Sequence, residues 1–186
     1  MNKHWFFLCH LIIIMMCLVS CKKNRTYHIV DNLYNKEITI SKELIPISGS
    51  EFNNMYSDPE ASLLFWFDST ECSICKFERM SLFEDIFIFC RDSVEEHKIN
   101  VLVLFSPSSF QIDDFFEVLN NTKSKYPLLF DKSNRFSLDN NFLPHSRTYH
   151  TFLLDKDNKI ILVGSPIVNE RIWILYKSTL KELLVN

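Results

Sequence analysis

The chain has 186 residues, the length of one domain with extensions. Its 20 basic and 23 acidic residues nearly balance, which leaves no electrostatic footprint for nucleic acid. Only 2 residues are glycine, which excludes a glycine-rich phosphate cradle, while a 47% hydrophobic content with 17 phenylalanines supplies ample material for one packed core.

At the N-terminus, Lys3 provides a short positive region, and Trp5 to Val19 form an apolar stretch interrupted only by His10. That run falls short of the roughly 20 apolar residues of a membrane span. It has the size and order of a cleavable secretory signal covering residues 1–20. Leu18-Val19-Ser20-Cys21 resembles the lipobox of bacterial lipoproteins. The resemblance implies cleavage before Cys21, a lipid on its thiol and attachment to a membrane. The alternative is an uncleaved signal-anchor in which Cys21 is incidental. Either way the remainder is expected outside the cytoplasm, where disulfides persist. Cys9 and Cys17 leave with the signal. Lys22-Lys23-Asn24-Arg25 reads as a solvated tether, and a Lys directly after the lipidated Cys implies the outer membrane rather than the inner, facing the periplasm.

Residues 21–60 are expected to form the lipidated N-terminus, tether and a short extension, with Glu37 to Ile40 alternating like a strand. Asp58-Pro59 is turn chemistry. A single domain is then expected over residues 61–186. Leu63 to Phe67 is an apolar run of strand length that suits burial on both faces. From about Ser73 to Val94, Phe83, Ile86, Phe87, Cys90 and Val94 recur at helical spacing. Asn100 to Phe105 predicts a second buried strand, parallel to the first. Ser108 or Ser109 is placed to cap a helix over 110–121. Tyr126 to Phe130 predicts a short strand, and residues 132–143 a helical turn or two. Thr148 to Leu154 and Lys159 to Val163 predict a hairpin joined by Asp155-Lys156-Asp157-Asn158, a polar turn that explains its acids with fewer assumptions than calcium. Ile172, Leu175, Tyr176, Thr179, Leu180 and Leu183 mark a closing amphipathic helix. The order is that of an α/β fold with a central mixed sheet flanked by helices.

Cys72-Ser73-Ile74-Cys75 follows a buried strand and opens a helix. A cysteine there sits among unpaired N–H groups at the positive end of the helix dipole, which favours thiolate. Two intervening residues bring the second cysteine one turn on, close enough for a disulfide. Cys72 is therefore expected as the exposed attacking nucleophile and Cys75 as the more buried resolving thiol. Two other readings stand beside this one: a static structural disulfide, and half of a zinc site completed from Cys90, His97, His145 or His150. Cys90, on an apolar helical face, reads as a small buried hydrophobe.

These stretches together resemble the thioredoxin superfamily, specifically its exported, membrane-tethered thiol–disulfide oxidoreductases. The resemblance is carried by Leu63 to Cys75, by Lys76-Phe77-Glu78-Arg79-Met80, by Tyr126 to Asp131 and by Thr151 to Val163. It implies a thioredoxin-like fold, no cofactor, protein thiols and disulfides as substrates, and catalysis by Cys72 and Cys75, with reduction slightly favoured; a monomer is expected. Glu71, Glu78, Tyr149 and His150 are the neighbours it brings to the site. The sequence departs from the pattern in three places. Tyr149 stands where the family has a cis-proline, with Pro144 five residues too early. Glu71 and Ser73-Ile74 replace the Trp and Gly-Pro of thioredoxin, and Trp66 holds a strand position that often bears a buried acid. These losses leave room for a different class of function, a non-enzymatic binding module with a fixed disulfide. A peroxidase of the peroxiredoxin type would need Pro and Thr where Phe65 and Ser69 stand.

Overall fold

The structure, a computed structural model, describes residues 26–47, 49–50, 56–92 and 99–185. The lipobox, Cys21 and the basic tether, with Val94 and His97, lie outside the described residues. The chain divides at Leu33. Before that boundary, residues 26–33 form a helix, α1. The second unit, Tyr34 onward, carries a six-stranded sheet.

Its strands are β1 (Ile45–Ile47), β2 (Ala61–Phe67), β3 (Ile99–Phe105), β4 (Leu128–Phe130), β5 (Thr151–Asp155) and β6 (Ile160–Val163), in the spatial order β1-β4-β3-β2-β5-β6. β2, β3 and β4 are mutually parallel; β1, β5 and β6 are antiparallel to their neighbours. The two expected central strands therefore pair as predicted, Leu63 opposite Val101 and Phe65 opposite Val103. Both are covered on two faces, which their unbroken apolar sequence requires.

The two faces differ in what covers them. Side chains alternate along a strand, so Leu63 and Phe65 join Val101, Val103, Phe105, Leu128, Phe130 and Leu153 in the main core. That core is closed by α2 (Ser73–Phe77), α3 (Glu84–Asp92), α4 (Ile112–Asn121) and α6 (Glu170–Val185) through Phe77, Ile86, Phe87, Phe115, Tyr176 and Leu180. Leu64 and Trp66 point the other way, toward α5 (Arg135–Asp139), whose Phe136 ring lies 5.0 Å from the indole of Trp66.

Several boundaries differ from those read in the sequence. The compact unit begins well upstream of residue 61, because β1 pairs with β4 and Glu37 bridges to Lys159. Glu37 to Ile40 is not a strand: only that single bridge forms, while Ile38 is buried. The single helix expected over 73–94 is broken. After Phe77 the backbone tightens into a 3-10 turn, Met80–Phe83, before α3. The break turns both Phe77 and Phe83 into the core. Neither Ser108 nor Ser109 caps α4, whose first residue follows Gln111 with no side-chain cap. The hairpin is shorter than expected, because Arg147–Tyr149 is a 3-10 turn. Its connection behaves as a polar turn, with Asp155 Oδ1 accepting from the N–H groups of Asp157 and Lys159. Leu175 is exposed, because the buried line of α6 runs through Tyr176 and Leu180.

Candidate active site

β2 delivers its chain to the carboxyl edge of the sheet, and the loop from Asp68 to Glu71 carries it into α2. Asp68 Oδ1 organises that loop, accepting from the N–H of Thr70 at 2.8 Å and from its hydroxyl at 2.6 Å. The turn closes through the N–H of Glu71, which donates to the carbonyl of Asp68 at 3.1 Å. Cys72 is then the N-cap of α2 in extended conformation, and its sulfur accepts from the N–H of Cys75 at 3.2 Å. Cys72 and Cys75 are joined by a disulfide with Cα atoms 5.3 Å apart.

Both cysteines are exposed, so Cys75 is not a buried thiol. Helical phase explains it. Ser73 and Phe77, four residues apart, form the buried side of α2. Cys75 lies midway between them in sequence and so faces outward. An exposed disulfide at a helix start is accessible to an attacking thiolate on either sulfur.

Glu71, read from the sequence only as a neighbour, is 5% exposed and paired with Lys76 Nζ at 2.7 Å. The ammonium of Lys76 also lies over the ring of Phe67 at 5.1 Å. Glu78 is exposed at the end of α2, where its N–H donates to the carbonyl of Ile74. Tyr149 is half-buried in its 3-10 turn, and the described residues contain no cis peptide bond. Cys90 is buried, and burial pushes its thiol from 9.0 up to about 12. Among the described residues no three His, Cys, Asp or Glu side chains gather as a metal site would require.

His150 is the sequence-selected neighbour whose surroundings are most specific. It is 2% exposed, and its ring lies 4.2 Å from that of Trp66. Its Nε2 lies 2.8 Å from the carbonyl of Pro144, which can only accept, so Nε2 carries a proton. On the other side of the ring, Nδ1 lies 3.6 Å from Asp68 Oδ2 and has no hydrogen-bond partner. Asp68 escaped the sequence reading. The signal was available in the strand alternation: Leu64, Trp66 and Asp68 share a face, as do His150 and Phe152 on the neighbouring strand. A second missed residue is Asp131. It is buried, accepts from Ser106 Oγ, and caps α5 through the N–H groups of Arg135 and Phe136. Because Trp66 Nε1 donates to Ser106 Oγ at 3.1 Å, this chain of bonds fixes the indole on the α5 face of the sheet.

No protein-family model and no curated protein matches this sequence. Solved structures do match. The solution structure of a candidate protein disulfide isomerase from Bacteroides thetaiotaomicron is 17% identical, with a TM-score of 0.50 over 82% of this chain and 93% of that one. A thioredoxin-like protein from Bacteroides caccae is 16% identical with a TM-score of 0.45; 84% of this chain aligns, spanning only 56% of that chain. A candidate thiol:disulfide interchange protein, DsbE, from Chlorobium tepidum is 11% identical with a TM-score of 0.48, over 81% of this chain and 97% of that one. With its parallel β2-β3-β4 core, its antiparallel β5-β6 edge and a Cys72–Cys75 disulfide opening the helix after β2, this chain has a thioredoxin-like fold.

Proposed function

We propose that this chain is a lipid-anchored thiol–disulfide oxidoreductase of the periplasm. The observation that carries the reading is the exposed Cys72–Cys75 disulfide with Cys72 as the N-cap of α2. In the reducing direction, the Cys72 thiolate attacks one sulfur of a substrate disulfide. A mixed disulfide forms and the first substrate sulfur leaves as a thiolate, taking a proton from solvent. The Cys75 thiolate then attacks Cys72 Sγ and expels the second substrate sulfur. The protein dithiol has become a disulfide, and two electrons and two protons have passed to the substrate. The oxidising direction is the reverse. Reduction is the direction we favour, following the resemblance to tethered members of the superfamily.

Export rests on the signal-like residues 1–20, and anchorage on the lipobox-like Leu18 to Cys21, with Lys22 favouring the outer membrane. Fatty-acid labelling of the expressed chain that disappears in Cys21→Ser supports the anchor; labelling that persists rejects it.

The redox reading is tested by equilibrating the full chain in glutathione buffers and following the Cys72–Cys75 peptide by differential alkylation. A reversible two-electron couple between about −120 and −270 mV supports an oxidoreductase, and its value assigns direction. A pair still oxidised below about −300 mV supports the second reading, a binding module with a fixed disulfide. That alternative is favoured by Tyr149, which offers a half-buried phenol in a 3-10 turn where the superfamily presents a proline.

A further inference from the structure

Beside the turn that leads into Cys72 lies a cleft of about 740 Å³, on the α5 face of the sheet. Ser69 and Thr70 form one wall, two residues from the disulfide; the segment around Asn134 and Asn141 forms the other. Asp68 and His150 line the cleft between these walls. Apart from its histidines, the one ionisable residue lining it is Asp68, with no Lys or Arg among the lining residues.

Asp68 is only half satisfied. Oδ1 takes both bonds from Thr70, whereas Oδ2 makes no hydrogen bond among the described residues and has His150 Nδ1 at 3.6 Å, beyond hydrogen-bonding range. His150 Nε2 donates to the Pro144 carbonyl, and its Nδ1 has no hydrogen-bond partner. Asp68 Oδ2 and the buried His150 Nδ1 thus face each other with neither atom hydrogen-bonded among the described residues. Such an arrangement is costly unless a donor supplies the missing bonds. The carboxylate, with 13% of its side chain exposed, is the group a ligand in the cleft reaches first.

We propose that this cleft is a specificity subsite for a basic side chain, Lys or Arg, lying close to the cysteine of a protein substrate. The inference rests on the oxidoreductase reading and names the substrate class for it. An ammonium or guanidinium group carries several N–H donors and no acceptor. It therefore answers the charge and the unused Oδ2 of Asp68, and the hydroxyl and amide groups of the walls suit the polar backbone around it.

The test compares two disulfide-bonded peptides that differ only in Lys or norleucine two residues from the cysteine, reduced by the full chain in its dithiol form. The Lys peptide is expected to react about fivefold faster, the upper end for a partly exposed ion pair. The preference should fade as salt is raised. Asp68→Asn should bring the rate ratio to about one. Because that substitution also touches the turn before Cys72, Asn141→Lys serves as a second variant. It places a positive charge at an exposed position of the cleft, offsets that of Asp68 and should abolish the preference. Equal rates for both peptides in the unaltered chain overturn the subsite and leave the oxidoreductase standing. If neither peptide is reduced, the oxidoreductase reading fails. The subsite is then decided by NMR with cysteine-free versions of the two peptides: shifts of Thr70 and His150 with the Lys peptide alone support it, and their absence overturns it.

Discussion

Two consecutive helices carry cysteines into opposite chemical worlds. On α2, Cys72 and Cys75 occupy the outward side of a five-residue helix whose inward side is Ser73 and Phe77. On α3, Cys90 occupies the inward side, beside Ile86 and Phe87, within the aromatic core. The residue type is the same, and so is the secondary structure. What differs is helical phase, and phase decides whether a sulfur meets water or phenylalanine. An exposed sulfur at a helix start can exchange disulfides, whereas a buried thiol keeps its proton and behaves as a hydrophobe.

The sharpest way to break this contrast is thiol labelling after reduction. Raising the Cys90 thiol from 9.0 to about 12 lowers its thiolate fraction roughly a thousandfold at any pH below 9. In the native state Cys90 should therefore alkylate at least about a thousandfold more slowly than Cys72, as read by mass mapping over time. Comparable rates would refute the burial argument. The same burial has a pH consequence. Between about pH 9 and 12 the unfolded chain ionises this thiol and the folded chain does not, so stability present below pH 9 is lost as pH rises toward 12. The loss is up to about 4 kcal/mol on the order-of-magnitude scale. Burial also pushes the Tyr176 phenol above its ordinary 10, which destabilises in the same direction. Urea unfolding of Cys90→Ala beside the parent isolates the thiol's share: the variant should lose less stability across that range.

The joint between the two helices offers the next test. Phe83, 4% exposed in the 3-10 turn, meets the ring of Phe65 edge-on at 4.8 Å and that of Phe67 at 6.2 Å. It is the side chain that ties the broken helix to β2. Phe83→Ala should cost about 3–5 kcal/mol in urea unfolding, and Phe83→Leu less than about 1.5 kcal/mol, since the void is then mostly filled. Equal costs for the two would mean that apolar volume alone does not replace the ring, and that its edge-on contacts carry the stabilisation.

This joint also marks where the sequence was legible and where it was not. β2 and β3 stood out because strands buried on both faces are written as unbroken apolar runs, and Leu63 to Phe67 could be little else. Cys72 at a helix start was equally plain, since a polar turn after such a strand has to open something. The break at Met80 was hidden, because a 3-10 turn keeps apolar residues near helical spacing while rotating them, and periodicity alone averages over it. In the site, His150 was visible as a titratable side chain at a strand end, but Asp68 passed as one more polar loop residue. Only the pairing of β2 with β5, a contact between residues some 80 positions apart, places the two together. Tertiary pairing of that kind leaves no local trace.

The smallest effect is also the most specific to the disulfide. Lys76 holds the buried carboxylate of Glu71 at 2.7 Å while its own side chain stays 41% exposed, so the pair is screened and worth about 1 kcal/mol at most. Its influence on the redox couple comes through charge. Reduction leaves a thiolate at Cys72, one helical turn before Lys76, and the ammonium stabilises that form. Lys76→Met should therefore lower the reduction potential, by about 10 mV if a few tenths of a kcal/mol are lost. Glu71→Gln removes the negative partner and should raise it by a similar amount. Opposite signs are what electrostatics requires, because the two substitutions disturb the same contact in the same place. If both shift the potential in one direction, the change comes from the loop's conformation, and the pair serves to hold Glu71 at the entrance to α2 rather than to tune the cysteines.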